Sequence, residues 1–274
     1  MSRKMRRTAL CWLALSPLIA LTLFPFVVML STALKPPGEV ATSAWVPSEL
    51  RWRNFADMWA ATGFGRALRN SLVVAGGSTL LAIAVAVPAA YALSRRRFAG
   101  RGAFRQFLLV SQMLSPIVLV IGLFRLLAGV GMVDSLWAVA VIYAAFNVAF
   151  SVWMLASYFA AIPRDLEEAA WTEGAGFLTT LRRVFLPLAL PAITVTAIFS
   201  FINAWNEFVV ALTLLRRAES YTLPLEVFAL VAGRYTIEWH HVMAAAFLAT
   251  APVAVVFAWL QRYLVRGLAL GAVK

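Results

Sequence analysis

Four polar side chains, Thr196, Ser200, Asn203 and Glu207, are spaced four, three and four residues apart in an otherwise apolar run, which puts them on one face if that run is helical. Trp205 and Asn206 flank the stripe. Such a face is costly in lipid and should turn toward other helices or a water-filled cavity, where it could bind a polar solute. Two readings stay open. Glu207 either lines the cavity or sits at the outer boundary, and the hydroxyls then bond back to their own helix. Asn203 is read toward the cavity, because an amide facing lipid lacks partners. Ser111, Gln112 and Ser115 in one apolar segment, and Asn147 and Ser151 in another, are further candidates for the same cavity, and helix-to-helix hydrogen bonds account for them equally well.

Groups suited to catalysis are sparse. His240 and His241 are adjacent, so on a helix they are expected to point in different directions and not to share a metal as an i, i+4 pair could. Beside Trp239 they read as interfacial residues. Cys11 is the only cysteine, which excludes an intrachain disulfide and any cysteine-cluster metal site. A phosphate-cradling loop needs Gly-Lys followed by Ser or Thr, yet Lys4 follows Arg3, Lys35 follows Leu34 and Lys274 ends the sequence. No catalytic, cofactor or metal site is therefore expected. Any ATP hydrolysis that drives this protein belongs to another polypeptide.

The elements that must position these residues are apolar spans. Of the 274 residues, 62% are hydrophobic and only 13% charged, the charges gathered in blocks between long uncharged runs. That is the pattern of a polytopic, all-α membrane protein. The net charge of +12 lies in loops flanking these runs, with no separate basic domain, which argues against nucleic-acid binding. Six spans are expected, at about 8–34, 71–94, 107–124, 135–162, 184–215 and 242–261, in a single domain over 1–274. The first run could be a signal peptide, but 27 uncharged residues exceed the about 7–15 of a signal core. In the second, Ser78, Ala82, Ala86 and Ala90 make a face of small side chains for close helix packing.

Residues 166–187, LEEAAWTEGAGFLTTLRRVFLP, form the long polar insertion. Asp165, Glu167 and Glu168 crowd the start of a helix, where negative charge is favoured, Gly174 allows a turn, and a second helical run begins near Phe177. Two short helices between spans make a knob that either docks in another protein or holds the bundle together at the interface. Six spans put both termini on one side. Fifteen of the 24 Lys and Arg fall on that side together with this loop at 163–183, so the termini and the loop are expected in the cytoplasm.

The order Glu168, Ala169, Ala170, Glu173, Gly174, Val184, Leu186 and Pro187 resembles the EAA loop of ABC importer permeases, with Glu173 where the family often has Asp and Val184 where it often has Ile. Further similarities are Leu34-Lys35-Pro36, Asn54-Phe55, Asn70-Ser71-Leu72, the helix end Tyr91-Ala92-Leu93-Ser94-Arg95, the AWNEF segment 204–208, Thr222-Leu223-Pro224 and the closing GAVK. The chain resembles a MalG-type permease of the carbohydrate branch. The resemblance implies an inner-membrane subunit working by alternating access, with a second permease subunit, two ATPase subunits carrying ATP and Mg, and an external solute-binding protein or lipoprotein as partners. It makes Glu168, Ala169, Ala170, Glu173, Gly174, Leu186 and Pro187 the ATPase-coupling residues. Through AWNEF it adds Trp205 and Asn206 to the residues read from spacing, so that Thr196, Ser200, Asn203, Trp205, Asn206, Glu207 and Asn147 are the expected substrate pathway, since an amide, a carboxylate and an indole suit a sugar. The tail at 267–274 would lie near the ATPase. An ion-coupled secondary transporter is the alternative, although only Glu207 supplies an intramembrane carboxylate and no inverted repeat is evident. Ala149 precedes Phe150 where relatives often have Pro, so no kink is expected there.

Overall fold

The computed structural model describes residues 3–40, 42, 44–232 and 237–271, with side chains for 8, 11–40, 42, 44–232 and 237–259. The described residues are helical, without strands. Five helical stretches are long and apolar enough to cross a membrane: Cys11–Ala33, Phe64–Arg95, Leu136–Ala161, Phe177–Asn206 and Trp239–Trp259. A sixth crossing exists if Arg101–Gln112 and Pro116–Gly129, bent by 95°, count as one. The chain divides into two compact units, Met1–Gly65 with Val227–Ala251 and Arg66–Glu226 with Pro252–Lys274, where a single domain is expected from the sequence.

In the first unit, α1 (Arg3–Ala33) is exposed from Cys11 to Val27, as a helix with apolar residues all round is when lipid or another subunit is its partner. Its end is held by α2 (Arg53–Ala61): buried Asn54 donates through Nδ2 to the carbonyls of Ala33 and Lys35 at 2.8 and 2.9 Å. Two segments singled out in the sequence thus meet, because the orphan carbonyls at a helix end need donors. Glu39 accepts the amide of Ser48 at 3.1 Å and its hydroxyl as well, and these bonds hold the Glu39 carboxyl below its ordinary pKa.

The two histidines correct the expectation that they diverge. Ligand atoms of Glu238, His240 and His241 all lie within 4.8 Å of one another. Glu238 stands at the cap of the helix Trp239–Gly271, and its carboxylate reaches His241 Nδ1, three residues on, at 2.7 Å.

In the second unit, α3 (Phe64–Arg95) presents Ser78, Ala82, Ala86 and Ala90, each with no exposed surface, as the close-packing face. The basic loop then leads to α4 (Arg101–Gln112) and α5 (Pro116–Gly129). The expected third span at 107–124 is broken here, since Pro116 lacks an N–H and keeps Ser115 extended (φ −71°, ψ 133°). Next comes α6 (Leu136–Ala161), capped by Ser135, whose hydroxyl accepts the Ala138 amide at 3.3 Å, and continuous through Ala149 as expected.

The insertion gives α7 (Asp165–Thr172) and α8 (Phe177–Thr180). A π-helical turn, Leu181–Phe185, feeds α9 (Leu186–Asn206). The expected fifth span at 184–215 ends early. Glu207 is extended (ψ 126°) and its carboxylate accepts the Val210 and Ala211 amides at 3.0 and 3.3 Å, starting α10 (Val209–Leu214) as a separate helix. Before α11 (Leu223–Ala229), Asn70 donates to the Glu219 and Tyr221 carbonyls and Ser71 accepts the Leu223 amide. The last helix, α12 (Trp239–Gly271), carries the sixth span, and Ala272 to Lys274 lie outside the described residues, so most of the GAVK similarity has no structural counterpart.

Candidate functional site

The insertion is anchored by one buried carboxylate. Glu167 has 4% exposure; its Oε1 accepts the Tyr91 hydroxyl at 2.8 Å, and its Oε2 lies 3.8 Å from Arg95 Nε, an ion-pair distance. Arg95 also donates through Nη2 to the Phe159 carbonyl at 2.6 Å and to the Ile162 carbonyl, and its guanidinium lies 4.9 Å from the Phe185 ring. The Tyr91 ring packs against Phe177 and Phe185 at 4.9 and 4.7 Å. One acid-base pair thus ties together the last turn of α3, the end of α6, the first turn of α7 and the entry to α9. A buried charge pair is costly to break from either side, so α7 is fixed to the bundle. Reading the sequence for helix-dipole charge alone gave Glu167 no partner; Arg95, at the noted helix end Tyr91 to Arg95, was the available signal.

The rest of the loop is presented outward. Glu168, Ala169, Glu173 and Gly174 are exposed and Ala170 is half-buried. Gly174 has φ +80°, and its turn closes with the Gly174 amide on the Trp171 carbonyl and the Ala175 amide on the Ala170 carbonyl, both 2.9 Å. That is the Schellman ending, which needs a left-handed residue, so glycine is required here by conformation and not by space. Leu186 and Pro187 open α9, both with exposed surface. The arrangement is a rigid knob with its acidic and small-residue side uncovered within this chain.

A separate cavity of about 280 Å³ is lined by Gln112, Pro116, Tyr143, Phe146, Asn147, Phe150, Asn203, Ala204 and Glu207. Asn203 Nδ2 lies 3.4 Å from Asn147 Oδ1, Asn147 donates to the Tyr143 carbonyl at 2.9 Å, and the Tyr143 hydroxyl donates to the Glu207 carboxylate. Gln112 Nε2 donates to the Phe146 carbonyl at 3.2 Å. Amide donors and acceptors, a phenol and a carboxylate on aromatic walls can bind a polyhydroxylated solute.

The proposed pathway residues divide. Asn147, Asn203 and Glu207 meet at this cavity. Thr196 and Ser200 do not line it: both are fully buried, Thr196 donating to the Ala192 carbonyl at 2.7 Å and Ser200 sharing a hydrogen bond with Ser151 on α6 at 3.1 Å. Trp205 is also buried, stacked on Phe201 at 5.6 Å, and Asn206 is exposed at the end of α9, away from the lining. For Trp205 the cause is angular: at about 100° per residue, Glu207 returns to within about 40° of Asn203, whereas Trp205 falls on the opposite side. Tyr143 was missed, although it stands one turn before Asn147. Ser111 bonds to its own helix, at the Leu108 carbonyl.

Residues 78–270 match the family described as binding-protein-dependent transport system inner membrane component. The chain belongs to that family. This permease is 34% identical over 255 residues to the diacetylchitobiose uptake system permease protein DasC of Streptomyces coelicolor, covering 92% of this chain and 91% of the relative. It is 34% identical over 254 residues to the trehalose/maltose transport system permease protein MalG of Thermococcus litoralis, with 92% and 91% covered. It is 31% identical over 265 residues to the sulfoquinovosyl glycerol transport system permease protein SmoH of Agrobacterium fabrum, with 96% and 93% covered. Its fold matches a solved bacterial ABC transporter involved in the import of the acidic polysaccharide alginate, with a TM-score of 0.82, 22% identity and 96% and 98% of the chains covered. The permease is thus an inner-membrane transport component, as the EAA resemblance implies, and these relationships give the ion-coupled alternative no support.

Proposed function

We propose that this permease forms one half of the solute path of an ATP-driven importer for a sugar or sugar derivative, with hydrolysis of Mg-bound ATP on two separate ATPase subunits and delivery by an external binding protein. The observation that carries the reading is the outward-facing knob of Glu168 to Gly174, locked to α3, α6 and α9 by the buried Glu167–Arg95 pair. A surface that rigid transmits displacement to several helices at once, which a coupling element must do. The Lys and Arg distribution supports a cytoplasmic knob and cytoplasmic termini. A second permease subunit would complete the path and cover the exposed face of α1.

The sugar class rests on the cavity of Gln112, Tyr143, Asn147, Asn203 and Glu207, and on three relatives named for carbohydrate-containing solutes. Alternating access then means that closure of the ATPase pair moves the knob and opens the cavity outward, and hydrolysis returns it inward. Uptake of a radiolabelled sugar panel into proteoliposomes, with and without the ATPase subunits and internal ATP, tests this. Transport is expected only with both. Uptake driven by an ion gradient alone would refute it.

A further inference from the structure

We propose that Glu238, His240 and His241 form a divalent transition-metal site at the head of α12. Among the described residues this is the one group of three His, Cys, Asp or Glu side chains whose ligand atoms gather within 4.8 Å. Two imidazole nitrogens and one carboxylate oxygen suit Zn²⁺, Co²⁺, Ni²⁺ or Cu²⁺, whereas Ca²⁺ and Mg²⁺ take oxygen donors. Three protein ligands leave an open coordination position, the layout of an exchangeable site and not of a closed structural one.

The geometry is close to what a tetrahedral ion requires. Zinc with bonds of about 2.0–2.2 Å holds its ligand atoms roughly 3.3–3.6 Å apart. Here His241 Nδ1 and Glu238 Oε2 are 2.7 Å apart around a shared proton, and the two imidazole rings lie 4.3 Å apart, tilted by 51°. An entering cation would displace that proton, push the closer pair apart and draw the wider atoms in by side-chain rotation. The backbone stays in place, because the His241 and Val242 amides already bond to the Glu238 carbonyl at 2.9 and 3.1 Å. His240 is buried and the His241 side chain is 13% exposed, while that of Glu238 is 53% exposed, so two ligands are preset and the third closes from solvent.

Charges around the site act in both directions. The amide end of α12 and Arg51 oppose a cation, whereas Glu238 and Asp57 favour it, with Asp57 also 3.4 Å from Arg53. The bound ion would clamp Glu238, which precedes the helix, to the helix's first turn. Under the orientation proposed above this end of α12 is external; the binding itself does not depend on that orientation.

The test uses the full chain purified in detergent with a histidine-free affinity tag and titrated with Co²⁺. One equivalent should bind with the intense visible bands of low-coordinate cobalt, and Zn²⁺ should erase them. Loss of an outer-shell partner costs about 10–100-fold in affinity, so Glu238→Gln and His241→Asn, which remove ligands, should each cost at least that. Unchanged size-exclusion profiles would show that the variants remain folded. Absence of cobalt bands at millimolar metal would overturn the proposal, as would equal binding by a His240→Asn, His241→Asn double variant.

Discussion

The Tyr91 hydroxyl donates to the Glu167 carboxylate at 2.8 Å, joining the end of α3 to the first turn of α7. With the Arg95 guanidinium on the other carboxylate oxygen, the loop cannot swing independently of the bundle. Tyr91→Phe removes one hydrogen bond to a charged group and should cost about 1.5–3 kcal/mol. Glu167→Ala leaves Arg95 buried without its partner and should cost about 3–5 kcal/mol, read as a lower midpoint of thermal unfolding in detergent. Equal midpoints for wild type and Glu167→Ala would show that the pair does not anchor the loop.

At Gly174 the backbone has φ +80°, which proline cannot adopt, and proline would also remove the amide that bonds to Trp171. Gly174→Pro should therefore reach the membrane but lose uptake with nucleotide hydrolysis no longer coupled to it. Gly174→Ala should be milder, with strain of about 1–2 kcal/mol. Glu168 is exposed, so Glu168→Lys should leave the unfolding midpoint unchanged and still uncouple transport. Paired measurements of uptake and ATPase rate check both.

For solute choice, Asn203→Ala and Asn147→Ala should alter the ranking of sugars transported while ATP hydrolysis is retained, since both amides line the cavity. Trp205→Ala should behave differently. Its indole is 3% exposed, so truncation should lower stability by about 3–5 kcal/mol without reordering solute preference. A competition uptake assay across a sugar panel separates the two outcomes.

The small-residue face of α3 is fully occupied at Ala82, Ala86 and Ala90. Ala86→Leu should overpack it and cost about 1–3 kcal/mol, seen as reduced yield and a lower unfolding midpoint. Substitution of exposed Leu80 by alanine should have little effect by the same measurement.

The sequence made the spans and the knob legible because hydropathy and turn chemistry are local. Gly174, the helix starts at Asp165 and Phe177, and the small face of α3 all follow from spacing. What it concealed depends on contacts between distant segments. Glu167 and Arg95 are 72 positions apart, and nothing local distinguishes Glu167 from Glu168 until one is buried. The polar stripe of α9 lies on one face as its period requires, yet only Asn203 and Glu207 reach the cavity, because Ser200 bonds to Ser151 on α6 and Thr196 is buried with its hydroxyl on the Ala192 carbonyl of its own helix. Glu207 also ends α9 short of the expected span at 184–215, since its carboxylate serves the amides of α10. Adjacent His240 and His241 lie with their rings 4.3 Å apart, and Glu238, at the cap of α12, reaches His241 from three residues before it, a grouping the spacing of the two histidines alone does not show.

The account rests on an ATPase gripping the loop from the cytoplasm. Cys11 is the only cysteine, so Cys11→Ser gives a cysteine-free background on which exposed Glu173→Cys is a single probe. Labelling by a membrane-impermeant maleimide should occur in inverted vesicles and not in right-side-out ones, and assembly with the ATPase subunits should slow it. Labelling from the outer face, or a rate unaffected by the ATPase, would contradict the coupling role of residues 168–174.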